Sequence, residues 1–387
     1  MKEIGVAVIG TRFMGRAHAN AYRQVRAFFD PPLLPRLAVA CGRDEGNLEE
    51  FSRRFGFDHV TVDWEEAVAR DDVGLVDISC SNDLHAEIAE AAARLGKAVF
   101  CEKPLARDLP EAERMLRTVE EAGVPHMVCF NYRFFPAIRL ARELIREGAL
   151  GEIRQFHALY LQDWGLDPNL PRSWRMVKEL AGSGALGDTA VHIVDLARFL
   201  VGEISEVCGM LTTFIKKRPL PDGSGMGEVT VDDTAAFLAR FSSGATGVFE
   251  TTRVATGRKN FMHLEVNGAR GSIHWNAEDP NVVWFYSLDD PAKVRGFRRI
   301  VVTEREHPWA GSWWPPGHIL GYEHSFVHAV YELLTALGEG RAPEPGFQDG
   351  VAAQAVLQAV ARAHAERCWL PVELTAAGPS PDRPATP

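Results

Sequence analysis

The chain of 387 residues contains no apolar run of the roughly 20 residues that a membrane-crossing helix needs. It has no excess of positive charge either. Its 42 Lys and Arg stand against 52 Asp and Glu, for a formal net charge of -10. That balance is a poor match to the phosphates of nucleic acid or to an anionic membrane surface. Cysteine is sparse, with six in all, and no two form a C-x-x-C pair. Four of them, Cys41, Cys80, Cys101 and Cys129, lie in apolar runs that read as strands. Buried, reduced thiols in a cytoplasmic protein are the simplest account. There is no H-E-x-x-H signature, and His324 and His328, four apart, lack a third ligand. No metal is expected. The chain shows no internal repeat. Its opening, Met-Lys-Glu-Ile-Gly, runs straight into a strand, so no signal peptide is expected.

What is present is an ordinary globular composition, 46% hydrophobic and 24% charged. The length exceeds that of one typical core and predicts two domains. Short apolar runs at 4–9, 37–41, 61–62, 75–80, 98–101 and 126–131 alternate with helical patterns at 14–28, 45–55, 65–70, 85–95 and 110–122. This alternation predicts a parallel sheet covered by helices on both faces. After about residue 150 the pattern changes. Strand-like runs at 153–162, 205–216, 233–241, 245–252, 261–267, 271–275 and 281–286 follow in close succession, several separated by turns such as Ser243-Gly244 and Asn267-Gly268. Helices are expected at 135–147, 185–201, 322–338 and 349–365. The fold class is therefore α/β, with a nucleotide-binding domain over 1–130. A second, α+β domain with an open, mostly antiparallel sheet follows over 131–375. The Pro/Ala/Ser-rich segment 376–387 reads as a disordered tail.

Gly10-Thr11-Arg12-Phe13-Met14-Gly15 sits at the first strand-to-helix junction. Glycines there permit a tight turn and let a dinucleotide pyrophosphate approach the helix N-terminus. Arg12 departs from the usual fingerprint by occupying its middle glycine position. The second strand ends in Cys41-Gly42-Arg43-Asp44, where NAD enzymes usually place an acid. Gly42 lacks that acid and Arg43 follows, which leans toward the 2'-phosphate of NADP, although both NAD and NADP remain open. Further strand ends supply Ser81, Asn82 and His85, then Glu102-Lys103-Pro104. All are placed where open α/β sheets bind ligands.

Removing hydride from a carbinol requires a base of near-neutral pKa and a cation beside the oxygen. Lys103, stiffened by Pro104, and His192 are the candidates. His192 follows the glycine-rich stretch Gly182-Ser183-Gly184-Ala185-Leu186-Gly187. Asp188 and Asp195 lie four before and three after it, on one helical face.

Taken in order, Gly10–Gly15, Glu102-Lys103-Pro104 and the Asp188…His192 helix resemble the glucose–fructose oxidoreductase/inositol dehydrogenase (Gfo/Idh/MocA) family over roughly residues 1–375. The resemblance implies a lysine–histidine catalytic pair, Lys103 and His192, with Asp188 contacting substrate. It also implies a second-domain sheet that forms homodimers or homotetramers. Tyr160-Leu161-Gln162-Asp163-Trp164, Ser173-Trp174-Arg175 and the aromatic loop before Gly321-Tyr322 resemble a subgroup, the pyranoside 3-dehydrogenases. The implied reaction oxidises a ring hydroxyl of a pyranoside, anhydrosugar or inositol with NAD(P). Asn131, after the sixth strand, is a further candidate for the cofactor or substrate hydroxyls. Arg133, Trp164, Trp174, Arg175 and Tyr322 are candidates for lining the sugar. Two other readings stand beside this one. The first is a non-catalytic NAD(P)-binding regulator on the same fold. The second is redox-neutral glycoside chemistry with a retained cofactor.

Overall fold

The structure is a computed structural model that describes residues 2–373, so the segment 376–387 read as a tail lies outside the described residues. The chain divides into two compact units.

The first unit is built on six parallel strands. In chain order they are β1 (Lys2–Ile9), β2 (Leu33–Cys41), β3 (His59–Thr61), β4 (Leu75–Ile78), β5 (Ala98–Cys101) and β6 (His126–Val128). Their order across the sheet is β3-β2-β1-β4-β5-β6. Helices α1 (Phe13–Phe28), α2 (Glu45–Phe55), α3 (Trp64–Ala69), α4 (His85–Arg94) and α5 (Leu109–Ala122) connect them. The strands read as unbroken apolar runs because helices cover both faces: β4 and β5 are buried at every residue. Helix α1 buries Gly15, His18, Ala19, Tyr22 and Val25, one face at helical spacing. The sixth strand stops at Val128, short of the expected 131, and Asn131–Phe134 form a 3₁₀ turn. Cys80 and Cys129 thus fall just beyond strand ends, and all six cysteines are free.

The second unit begins with α6 (Pro136–Arg146). Helices α7 (Lys178–Ala181) and α8 (Val191–Leu200) follow. Its large sheet comprises β7 (Ile153–Leu161), β8 (Ile204–Thr212), β11 (Thr234–Phe241), β12 (Thr246–Thr252), β13 (Phe261–Gly268), β14 (Gly271–Asn276), β15 (Val282–Ser287), β16 (Arg298–Val301) and β17 (Leu370–Pro371). The order is β16-β15-β14-β13-β7-β12-β11-β8-β17. A small ribbon of β9 (Lys217–Pro219) and β10 (Met226–Glu228) stands apart. Within the sheet β12 (Thr246–Thr252) runs parallel to β7, and the other pairs are antiparallel. Burial alternates along β11 and β12, the mark of a sheet covered on one face. On that face Phe237 and Phe249, paired across strands, stack with centroids 4.5 Å apart. On the other face Met210, Leu238 and Val248 are exposed.

The expected boundary near residue 130 is corrected by the structure, because Asn131–Phe134 and Gly321–Val351 join the first unit. Helix α9 (Tyr322–Glu339) packs on α1, and α10 (Phe347–Glu366) starts in the same unit. Buried polar bonds fix this return. Asn131 Nδ2 donates to Ser325 Oγ at 3.1 Å, His328 Nδ1 bonds the Phe134 carbonyl at 2.8 Å, and Arg133 pairs with Asp349 at 3.1 Å. His126 Nδ1 accepts the Phe347 N–H at 3.0 Å, which requires a bare nitrogen. Burial lowers its pKa to about 4 against the opposing Asp349 carboxylate. A folded pKa below the unfolded value makes this contribution complete at neutral pH and lost as acid protonates the unfolded chain first. Between about pH 7 and about pH 5 it amounts to about 2 kcal/mol. Urea unfolding of wild type and His126→Gln at both pH values should therefore show a steeper acid loss in wild type. Equal slopes would contradict the assignment.

Candidate active site

The carboxyl ends of β1, β2, β4 and β5 lie side by side and gather most of the expected cofactor residues along one edge. Gly10 N–H bonds the Cys41 carbonyl, Ser79 N–H the Ile9 carbonyl and Glu102 N–H the Ile78 carbonyl, each at 2.9 Å. At Gly10, φ is +122° and a Cβ would come within 2.4 Å of the Ser79 carbonyl oxygen, so only glycine fits. The missing acid at Gly42 has a similar cause: a Cβ there would meet the Thr11 side chain at 2.8 Å. Arg12 turns outward and pairs with Asp44 at 2.9 Å, both exposed. Phe13, 64% exposed, opens α1 beside Met14 and stacks on Tyr322 with centroids 6.1 Å apart.

The start of α1 differs from its neighbours. Asp44 caps α2 and Asp108 caps α5, each accepting a backbone N–H. Arg12 supplies no side-chain cap to α1, and no acid stands in the first turn. Uncapped N–H groups above a glycine turn, with no carboxylate to repel an anion, fit a dinucleotide pyrophosphate. Ser81 and Asn82 are buried at the end of β4, and Arg43 is exposed after β2.

Lys103 is half-buried on the turn after β5, ahead of a cis peptide to Pro104. Beneath the turn is a group of side chains that sequence reading missed. His18 Nδ1 lies 2.9 and 2.8 Å from the two Asp77 oxygens, and Nε2 lies 3.0 Å from Glu102 Oε1. Tyr22 donates to Asp77 at 2.9 Å, and Lys103 N–H donates to Glu102 Oε2 at 3.1 Å. Burial alone would lower the His18 pKa, yet Asp77 and the neighbouring Cys129 hold it well above the ordinary value. Glu102 is held low by His18 and Lys103 against its own burial. The His18, Glu102 and Cys129 ligand atoms lie within 4.8 Å of one another, but both imidazole nitrogens are already engaged with carboxylates. One signal was available: Asp77 interrupts Leu75-Val76-Asp77-Ile78, and an acid in a buried strand needs a partner.

Several of the expected site residues have partners within the chain. Glu102 is 4% exposed and bonds His18 and the Lys103 backbone. His85 is fully buried, with Nδ1 on the Pro104 carbonyl at 3.1 Å, so it supports the turn. Asn131 Nδ2 bonds Ser325, and Arg133 is a buried partner of Asp349. Tyr322 belongs to the first unit, packed among Phe13, Tyr132 and Phe326.

The second unit carries Trp164, Trp174, Arg175, Asp188 and His192. The helix expected at 185–201 opens as a π-helical turn, Leu186–Ala190, before α8. Asp232 holds that opening by accepting the Gly184 and Leu186 N–H groups, each at 2.8 Å. His192 is buried, its ring 5.9 Å from that of Tyr160. Asp188, a quarter exposed, pairs with the buried Arg253 at 3.0 Å. Arg253 also donates to the Arg175 carbonyl at 3.2 Å and lies over the Trp164 ring. Arg253 was missed as well, because nothing in the sequence ties it to Asp188. Trp164 Nε1 donates to Gln162, and Arg175 covers Trp174.

A dinucleotide cradle in one unit and a histidine–aspartate helix in the other define a two-part oxidoreductase. A model described as "Oxidoreductase family, NAD-binding Rossmann fold" matches residues 4–130, and one described as "GFO/IDH/MocA C-terminal domain" matches residues 138–274. The chain belongs to the Gfo/Idh/MocA family of oxidoreductases. It is 42% identical over 386 residues to levoglucosan dehydrogenase of Pseudarthrobacter phenanthrenivorans, covering 96% of this chain and 99% of that one. It is 28% identical to myo-inositol 2-dehydrogenase of Thermotoga maritima, over 89% of this chain and 91% of the relative. Among solved structures, levoglucosan dehydrogenase with NADH and levoglucosan superposes with a TM-score of 0.93 at 42% identity, covering 96% of this chain and all of that one. An oxidoreductase domain protein from Kribbella flavida gives 0.93 at 49% identity, over 97% and 100%.

Gly10→Ala should weaken NAD binding by about tenfold or more, since a strained Cβ in the cradle costs at least about 1.4 kcal/mol. Fluorescence titration of folded protein measures this. Unchanged affinity would contradict the cradle.

Proposed function

We propose that the chain oxidises a ring hydroxyl of a sugar or polyol to a ketone, with Lys103 and His192 acting on the carbinol and Asp188 contacting the substrate. The observation that carries this reading is the near full-length likeness to a protein solved with NADH and levoglucosan, in a chain that has Lys103 after β5 and Asp188 and His192 on one helix. An anhydrosugar or other pyranoside is the preferred substrate class.

NAD, when bound, supplies the hydride acceptor. The neutral imidazole of His192 accepts the hydroxyl proton as the carbinol C–H bond breaks. The Lys103 ammonium donates a hydrogen bond to the same oxygen and stabilises the negative charge that develops as the proton leaves. The Arg253 guanidinium holds Asp188 as the ionised acceptor for a neighbouring hydroxyl. Trp164 and Trp174 offer apolar faces to a ring.

NAD is the cofactor supported by the family description and the NADH complexes of relatives. Arg43 adds tolerance for NADP. Arg12 is paired with Asp44, while Arg43 is exposed at the end of β2. The uncovered sheet face bearing Met210, Leu238 and Val248 supports a homodimer or homotetramer. Six free cysteines are in keeping with a cytoplasmic setting, and no metal is assigned a role.

With levoglucosan and NAD, Lys103→Met and His192→Ala should each lower kcat by about a hundredfold or more. Turnover retained in both removes the mechanism. A wild type that binds NAD but reduces none with any pyranose, anhydrosugar or inositol favours a regulatory role. Arg43→Ala should lower kcat/KM for NADP by about fivefold or more while sparing NAD, since a guanidinium–phosphate bond contributes at least about 1 kcal/mol. Parallel losses with both cofactors would contradict the assignment of Arg43.

A further inference from the structure

The buried group beneath Lys103 does not face solvent. Asp77 and His18 have side chains at 0% exposure, and that of Glu102 is at 5%. Sealed ion clusters contribute little net stability, because desolvation offsets their attraction, and apolar residues of similar volume often serve as well. The geometry suggests a purpose other than stability. Three elements converge: α1, whose first turn forms the dinucleotide cradle, β4, and the end of β5, which carries Lys103.

Resting on the reading that Lys103 acts on substrate, we propose that His18 and Asp77 are positioning residues. Through Glu102 they fix the Lys103 backbone in register with the cofactor-binding helix. Tyr22 and His18 occupy the two Asp77 oxygens, and His18 passes from Asp77 to Glu102 Oε1. Glu102 Oε2 then accepts the Lys103 N–H. Because carboxylates only accept, the imidazole between them holds a proton on each nitrogen. The cluster is carboxylate, imidazolium, carboxylate, and the elevated His18 and depressed Glu102 pKa values agree with it. From the other side His85 bonds the Pro104 carbonyl, so the turn is held at both ends. A lysine displaced by about 1 Å would lose about a hundredfold in rate with little change in binding.

The test is steady-state kinetics of full-length Glu102→Ala, Glu102→Gln, His18→Asn and Lys103→Met with levoglucosan and NAD. Folding is checked by circular dichroism and NAD binding by fluorescence. Glu102→Ala should lower kcat by about a hundredfold, with sugar KM and NAD affinity within about threefold of wild type. In Glu102→Gln the amide oxygen still accepts the Lys103 N–H and the amide nitrogen faces a neutral imidazole. That variant should recover at least about tenfold of the loss. His18→Asn keeps a donor toward Asp77 but strips Glu102 of its partner, and should fall with Glu102→Ala. If Glu102→Ala does not fold, His18→Asn against Glu102→Gln carries the same comparison. The proposal is overturned if the folded variants keep kcat within about threefold of wild type while Lys103→Met is inactive, or if Glu102→Gln falls as far as Glu102→Ala. Full turnover in Lys103→Met overturns the reading of Lys103 instead.

Discussion

An imidazole clamped between two carboxylates, sealed under the carboxyl ends of a parallel sheet, is the constraint on which the first unit turns. The sheet's hydrogen bonds set the strands side by side but leave their terminal loops free to choose a path. The Asp77–His18–Glu102 bonds remove that freedom where α1, β4 and the end of β5 meet. Each member is tolerable only in the presence of the others. Asp77 or Glu102 alone would be an unpaired buried anion, and His18 alone would lose its charge. Such a cluster specifies one arrangement, since any shift in helix or strand leaves a charge unpaired in an apolar core.

The chemistry assigned to the two units has the same economy. The cradle at α1 works by subtraction: no side-chain cap, no first-turn acid and no Cβ at Gly10, which leaves backbone donors for an anion. Helices α2, α3 and α5 are capped by their own aspartates and offer nothing of the kind. In the second unit Asp232 organises the glycine-rich opening of the His192 helix, and Arg253 fixes Asp188. Both side chains proposed to act on the carbinol, Lys103 and His192, therefore sit on backbone that buried carboxylates hold.

Much of this was legible in the sequence because it is local. Alternating apolar runs gave the parallel sheet, and Gly10–Gly15 marked the first strand-to-helix junction. Glu102-Lys103-Pro104 and the Asp188–His192 spacing carried the family resemblance. What was not legible joins residues far apart in the chain. Ser325 meets Asn131 and Asp349 meets Arg133, so segment 321–351 belongs with the first unit although its helical pattern looks like any other. Arg133 and Asn131 follow a strand end, as ligand-binding residues do, and only the structure reveals the partners that occupy them. The bonds of His85 and Glu102 were hidden for the same reason, since position at a strand end does not say which way a side chain points. The π-helical opening before α8 is set by Asp232 from another part of the chain, and hydrophobic periodicity carries no trace of it.

Direct hydride transfer from a sugar carbinol separates this chemistry from regulation and from redox-neutral cleavage. It is tested most directly with a pyranoside carrying deuterium at the ring carbon to be oxidised. Hydride transfer predicts a slowed rate, one deuterium in the reduced nicotinamide and none at the ketone carbon of the sugar product. Reduced nicotinamide without deuterium, or a sugar product that keeps it with no net reduction of NAD, would contradict the assignment.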